Sequence, residues 1–239
     1  MRRWTRAAGP SRAPGPRWPP RTGSGPPPPR PAPPGHPNIQ SGWGTLCGGD
    51  SHSLLLRPDG KLWATGENGA GQLGDGTTND RPAPAQLPSL SNVVDVDCGS
   101  NHSLAVRADG TVWVWGSGSE SKSPTQKAGL SNVVAVSAGY QFSVALKADG
   151  TVWGWGSNSS GQLGDNTTSD RSVPVQAQGL SNVIAVSAGH THVLAVRSDG
   201  TVWAWGSNDS GEFGNDSTTS SPSPVQLPGQ TAVMNMVGG

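Results

Sequence analysis

The chain has 239 residues, with 35 Gly, 22 Pro and ten Trp but only one Tyr and two Phe; that much Gly and Pro favours many short strands and turns over helices. Its formal charge of zero hides a division: residues 1–40 hold seven Arg and no Lys, Asp or Glu, leaving nine basic and sixteen acidic residues beyond them, a net −7. The body therefore lacks the clustered Lys/Arg of a nucleic-acid footprint, no apolar run reaches the roughly 18 residues of a transmembrane helix, and two cysteines exclude a disulfide-rich scaffold and a four-Cys zinc site.

Residues 1–40 are low-complexity Pro, Arg, Gly and Ala, including Pro26-Pro27-Pro28-Pro29. Such a segment buries too little apolar surface to offset its ordering entropy, so a disordered tail is expected. Arg2-Arg3 is not followed by the apolar stretch of a secretory signal.

From residue 41 the sequence repeats. Asp-Gly pairs at Asp59-Gly60, Asp109-Gly110, Asp149-Gly150 and Asp199-Gly200 recur at intervals of 50, 40 and 50 residues, and Asp-Gly supplies the positive φ angles of a tight hairpin turn. Each unit begins with an alternating apolar strand such as Val133-Val134-Ala135-Val136, then a Gly at 49, 99, 139 or 189 and a second strand such as His102-Ser103-Leu104-Ala105-Val106-Arg107. The hairpin leads into a third strand with Trp at period 2 (Trp113/Trp115, Trp153/Trp155, Trp203/Trp205; Trp63 and Thr65 in the first unit). A polar loop, Gly71-Gln72-Leu73-Gly74-Asp75 or Gly161-Gln162-Leu163-Gly164-Asp165, precedes a short Pro-containing strand. The second unit lacks this block, which places the block in a loop rather than in the strand core. Four short antiparallel strands per unit is the content of a propeller blade. The units run over about 41–92, 93–132, 133–182 and 183–231, with 232–239 starting or closing a blade.

These ordered motifs, the Gly followed three residues on by His, the Asp-Gly hairpin, Trp-Gly-Ser-Asn and Gly-Gln-Leu-Gly-Asp, resemble the regulator of chromosome condensation repeat family over nearly all of 41–239. The resemblance implies an all-β protein, a β-propeller built of four-stranded antiparallel blades, partial or small because four repeats are present where the family usually has seven. Either 232–239 closes a four-bladed ring, or 41–239 is part of a longer array; the second is expected, since wedges suited to seven blades do not close at four. An open arc exposes apolar blade faces and should associate.

The tryptophans are expected to fill the gaps between blades. His52, His102 and His192 recur at one position, with Phe142 in the third unit; equivalent positions on different blades do not converge on one ion, so these histidines are read as tying the inter-strand turn, with no metal and no cofactor. The oxygen-rich loops from Asp75 and Asp165 lack the closing Glu of a calcium loop and are read as turns. Cys47 and Cys98 are expected as two buried free thiols, a bridge between them being the alternative. Asn101-His102-Ser103 and Asn158-Ser159-Ser160 fit the glycosylation pattern. No phosphate loop, nucleophile elbow or His-Glu-x-x-His motif is present, so no catalytic residue is assigned.

Within the family, the resemblance implies three roles: nucleotide exchange on a small GTPase with chromatin docking, protein inhibition of an enzyme, and a protein-binding platform, often exported or surface-displayed. The short regular blades are most similar to the last. The expected function is a non-catalytic scaffold for an unidentified protein, without small-molecule substrate or membrane span, and with at most weak nucleic-acid contact through the Arg-rich tail. Its expected binding rim is Asp50, Ser51, Asn101, His102, Tyr140, Phe142, His190 and His192, because loops on a rigid frame vary without disturbing the core.

Overall fold

The computed structural model describes residues 45–119 and 121–229. The Arg/Pro-rich tail of 1–40 and the strand expected at 232–239 lie outside the described residues. Those residues form sixteen strands in four antiparallel sheets and no helix. Blade 1 is β1 (Thr45–Gly48), β2 (His52–Leu56), β3 (Leu62–Gly66) and β4 (Arg81–Gln86). Blade 2 is β5 (Val93–Cys98), β6 (His102–Arg107), β7 (Val112–Gly116) and β8 (Ser121–Gln126). Blade 3 is β9 (Val133–Ala138), β10 (Phe142–Lys147), β11 (Val152–Gly156) and β12 (Arg171–Gln176). Blade 4 is β13 (Val183–Ala188), β14 (His192–Arg197), β15 (Val202–Gly206) and β16 (Ser221–Gln226). Every sheet is a simple meander in sequence order. This is a β-propeller arrangement whose described sheets do not close into a ring.

The hairpins follow from local chemistry. Gly110 sits at φ 75°, a backbone region that side chains other than Gly disfavour. Asp109 Oδ1 accepts the Thr111 backbone N–H at 3.0 Å and its hydroxyl at 2.6 Å. Thr111 Oγ1 in turn accepts the Trp113 indole N–H at 3.1 Å. The same relay runs through Asp149, Thr151 and Trp153 and through Asp199, Thr201 and Trp203. In blade 1 Lys61 stands where the others have Thr, and the buried Trp63 Nε1 has no partner.

Period-2 alternation then sends successive side chains to opposite blade faces. Leu54, Leu56, Leu62 and Ala64 of blade 1 meet Val93, Val96, Ala105 and Trp115 of blade 2. Leu104, Val106, Val112 and Val114 meet Val133, Val136, Ala145 and Trp155 of blade 3. Val144, Leu146 and Val152 meet Val183, Val193, Ala195 and Trp205 of blade 4. At about 1.5–3 kcal/mol for each large apolar side chain withdrawn from water, these three layers hold the array together. A fourth cluster, Val202, Ala204, Phe213 and Leu227, lies on the outer side of blade 4, with no described blade beyond it.

The tryptophans pack between the blades unequally: Trp115, Trp155 and Trp205 are buried, whereas Trp113, Trp153 and Trp203 pack half-buried against the same layers, under Arg107, Lys147 and Arg197. One expectation needs correction. The cysteines are not free thiols. β1 and β5 run side by side and bring Cys47 and Cys98 to a Cα–Cα distance of 5.6 Å, joined as a disulfide, inside the range that a bridge spans without backbone movement.

The bridge has non-covalent counterparts. Asp97 Oδ2 accepts the Ala138 N–H at 2.9 Å and the Ser137 hydroxyl at 2.9 Å. Ser137 Oγ accepts the Ala188 N–H at 3.0 Å. Counted back from each repeat Gly, Cys47, Asp97 and Ser137 are equivalent, so one position reaches to the next inner strand in all three interfaces.

Candidate functional site

The turn between the first and second strand of each blade forms one rim. Gly49 N–H donates to the His52 carbonyl at 2.9 Å, and Gly99, Gly139 and Gly189 close the same turn. At Gly99 an added Cβ would stand 2.1 Å from the His102 ring, so the ring lies flat on the glycine. The two residues after each Gly are the turn tips. Asp50, Ser51, Asn101, Tyr140 and His190 are exposed there, and Ser100 is buried.

Tyr140 and His190 come together. Their rings stack with centroids 4.5 Å apart and planes at 29°, and the Tyr140 N–H donates to the His190 carbonyl at 3.0 Å. The backbone bond fixes the spacing of the two blades beneath the pair. Tyr140 keeps 41% of its surface exposed, a large aromatic held rigid at a protein surface, which loses little side-chain entropy on binding.

The other rim residues divide by depth. His102 and Phe142 turn inward and are buried, and His192 is half-buried; the third residue after the Gly is the first of a strand and faces the next blade. The histidines were expected to tie the turn, and instead reach across blades: His52 Nε2 meets Ser103 Oγ at 2.9 Å, and His102 Nε2 meets Ser143 Oγ at 3.0 Å. Where Phe142 replaces His, Val193 replaces the serine, and both lie in the same apolar cluster. Polar pairs with polar and apolar with apolar, so neither serine hydroxyl nor either histidine Nε2 is buried without a partner. This exchange is visible in the sequence once the blades are aligned.

The buried histidines titrate abnormally. Ser103 donates its hydroxyl to the Gln72 carbonyl at 2.8 Å, so His52 Nε2 carries the proton that bonds Ser103. Its Nδ1 is buried without a partner. Burial lowers His52 from 6.5 to about 4 against a smaller opposing pull from Asp50. Burial, with the neighbouring His52 charge, also lowers His102 to about 4. Both rings bind a proton more readily in the unfolded chain, so stability is full above pH 6.5 and falls as pH drops from 6.5 towards 4. The expected loss is on the order of 3 kcal/mol for His52 alone. A His52→Phe, Ser103→Val pair, copying Phe142 and Val193, should flatten part of that slope in denaturant titrations at pH 7 and pH 4.5.

The oxygen-rich loops are internally consumed. Burial would raise the Asp75 carboxyl, but hydrogen bonds from Thr77, Arg81 and Asn68 outweigh it and hold it at about 2. Asp165 pairs with Arg171 at 2.8 Å. In blade 4 the pair becomes Asn215 and Ser221, so both charges leave together. Among the described residues no group of three His, Cys, Asp or Glu could hold a metal ion. Asn158 of the second glycosylation pattern is fully buried, bonding the Leu163 N–H and Asp165, whereas Asn101 is exposed.

Comparison with known proteins supplies the family. The RCC1-like domain model matches residues 27–238. Human Protein RCC2 is 45% identical over 53 residues, 21% of this chain and 10% of that protein. The ultraviolet-B receptor UVR8 of Arabidopsis thaliana is 33% identical over 79 residues, 32% of this chain and 18% of that protein. Human WBSCR16 superposes with a TM-score of 0.66 at 26% identity, over 77% of this chain and 51% of that one. Yeast RCC1 (Prp20), solved with Kap60 bound, gives 0.68 at 24% identity, over 81% of this chain and 51% of that one. The chain thus spans about half the length of these solved relatives, and the match to RCC2 covers a tenth of that protein.

Proposed function

The chain belongs to the RCC1-like domain family, and from that premise we propose that it is a non-catalytic β-propeller scaffold whose rim turns bind a partner protein. The observation that carries this reading is the exposed Tyr140–His190 stack at a turn position where the other blades present Asp50-Ser51 and Ser100-Asn101. The frame beneath repeats and the turn tips do not, which is how one scaffold changes partner without changing fold. Yeast RCC1, a relative in fold, was solved bound to a protein, Kap60.

Of the expected rim, Asp50, Ser51, Asn101, Tyr140 and His190 are the residues a partner reaches; His102, Phe142 and His192 support them from below. The Cys47–Cys98 bridge supports an extracellular or cell-surface placement, because disulfides persist in oxidising compartments and are rare in reducing ones.

The test uses three immobilised forms of the chain: wild type, Tyr140→Ala with His190→Ala, and a control bearing Lys61→Ala at the hairpin end of blade 1. A protein held through the stack should bind the double variant at least about 30-fold more weakly, the loss of about 2 kcal/mol typical of a central aromatic contact. Equal affinity for wild type and the double variant, measured on a purified partner, would sink the reading.

A further inference from the structure

The three seams between the described blades are not alike. In the first, the loop of blade 1 leans onto blade 2. The Gln72 carbonyl accepts the Trp115 Nε1–H at 2.7 Å and the Ser103 hydroxyl at 2.8 Å, and the Gly76 N–H donates to the Lys122 carbonyl at 2.9 Å. In the third, the loop of blade 3 leans onto blade 4, where the Gln162 carbonyl accepts the Trp205 Nε1–H at 2.9 Å and the Asn166 N–H donates to the Pro222 carbonyl at 3.0 Å. Blade 2 lacks this loop, so nothing equivalent leans from it onto blade 3.

Blade 3 nevertheless keeps the groups that receive a loop. Trp155, equivalent to Trp115 and Trp205, bonds no described residue through Nε1, and that nitrogen is not sealed from water. Its cross-strand neighbour Ser143 meets the His102 ring at 3.0 Å and no carbonyl among the described residues. Gly156 is half-buried where Gly116 and Gly206 are buried. Val173 is 65% exposed where Ser123 and Ser223 are half-buried beside a loop.

Blade 2 has changed in step. The Lys127 N–H bonds the Val112 carbonyl as the Leu87 and Ala177 N–H groups bond Leu62 and Val152, so a lysine stands where the other blades bury an apolar residue beneath their loops. Its ammonium crosses the seam to the Ser172 carbonyl at 2.7 Å and lies 5.6 Å from the Trp155 ring centre. Ser172 is equivalent to Lys122 and Pro222, so the ammonium takes the place of the loop N–H. The residue before that N–H is Asp75 or Asp165, paired with Arg81 or Arg171. Blade 2 has Ser121 in place of the arginine, and Lys127 makes no ion pair among the described residues. Val114, where blades 1 and 3 have Ala64 and Gly154, fills part of the space that Leu73 and Leu163 take elsewhere. What the seam chiefly lacks is therefore an acceptor for an indole N–H, a hydroxyl and a cation.

We propose that the seam between blades 2 and 3 seats an extended, acidic segment of a partner protein, in the manner of the loops that fill the other two seams. A main-chain carbonyl of the segment accepts the Trp155 Nε1–H and the Ser143 hydroxyl. An Asp or Glu a few residues further on pairs with Lys127, and an apolar side chain covers Val173. The unpaired ammonium selects an acidic segment over a basic one. This seat is apart from the Tyr140–His190 stack, and the two readings stand or fall separately.

Nuclear magnetic resonance of the indole N–H groups of the full chain tests this, with a synthetic peptide copying residues 159–166 as the probe. The Trp155 signal, identified by its loss in Trp155→Phe, should move saturably with a Kd on the order of 1 mM, the weak end expected of a short flexible ligand. Trp115 and Trp205, whose N–H groups already meet carbonyls, should not move. Lys127→Leu, which copies Leu87, should leave the circular dichroism spectrum unchanged and weaken binding about 3-fold, the scale of a partly exposed ion pair. A peptide with Asn in place of its Asp should bind wild type about 3-fold more weakly and should not distinguish wild type from Lys127→Leu. Sodium acetate at the same concentration should leave Trp155 unmoved. A Trp155 signal that stays in place at about 5 mM peptide would overturn the proposal. So would equal movement of Trp115 and Trp205, an affinity indifferent to both Lys127 and the peptide's Asp, or a shift reproduced by acetate alone.

Discussion

Reducing the Cys47–Cys98 bridge should lower the unfolding free energy of the array by roughly 4 kcal/mol. The bridge closes a loop with a sequence separation of 51 residues. Chain-entropy arguments give about 3 kcal/mol for a 15-residue loop and about 4.7 for 100, and this loop lies between them. At about 2–4 °C per kcal/mol for a body of this size, thermal unfolding should move down by about 8–16 °C in reductant. The first blade carries most of the effect. Leu46 of β1 is 72% exposed. Without the bridge β1 has only its ladder to β2 and its contact with β5, so amide exchange should rise first in β1 and β2. Cys47→Asp with Cys98→Ala would copy the Asp97–Ala138 link of the next interface and should recover about 1–3 kcal/mol of the loss, the value of a charge-assisted hydrogen bond. A melt that ignores reductant, with exchange in β1 unchanged, would show that the bridge contributes nothing.

Much of the frame was legible in the sequence because its signals are local. Asp109-Gly110-Thr111-Val112-Trp113 dictates its own turn and strand, and four copies fix the blade. The loop nature of Gly161-Gln162-Leu163-Gly164-Asp165 follows from its absence in blade 2, where β7 and β8 are joined without it. Contacts between blades were harder to read. The repeat Gly located the turns, but the strand face pointing to the next blade is set by packing, so His102 and Phe142 read as rim and lie inside. The bridge was missed for a related reason: Cys98 immediately precedes its Gly and Cys47 lies two residues before its own. These non-equivalent positions meet only because side chains at the Cys47 position reach forward to the neighbouring inner strand. The paired change from His52 and Ser103 to Phe142 and Val193 was the available signal for that forward reach, and it appears only when residues of consecutive blades are compared.

Trp205→Ala should cost about 4 kcal/mol, within the range of about 3–5 for a buried Trp reduced to Ala. The indole is fully buried in the blade 3–blade 4 layer beside Val193, Ala195 and Leu163, and the Gly164 backbone lies against it, so the gap cannot collapse without moving a loop held by Asn158. The substitution also removes the Nε1 donor to the Gln162 carbonyl. Trp155 separates the two contributions. It fills the corresponding gap between blades 2 and 3, but blade 2 has no Gly-Gln-Leu-Gly-Asp block to offer a carbonyl, so Trp155→Ala should cost about 1 kcal/mol less, the net value of one hydrogen bond. Trp203, half-buried and bonded within its own hairpin to Thr201 at 3.1 Å, should cost only about 1–2 kcal/mol, because it packs against the blade 3–blade 4 layer with only part of its surface withdrawn from water. Urea unfolding of the three variants at pH 7 gives the order Trp205, Trp155, Trp203. Equal losses at Trp203 and Trp205 would mean that the second tryptophan of the hairpin does not join one blade to the next, and the assignment of the inter-blade layers would have to be reversed.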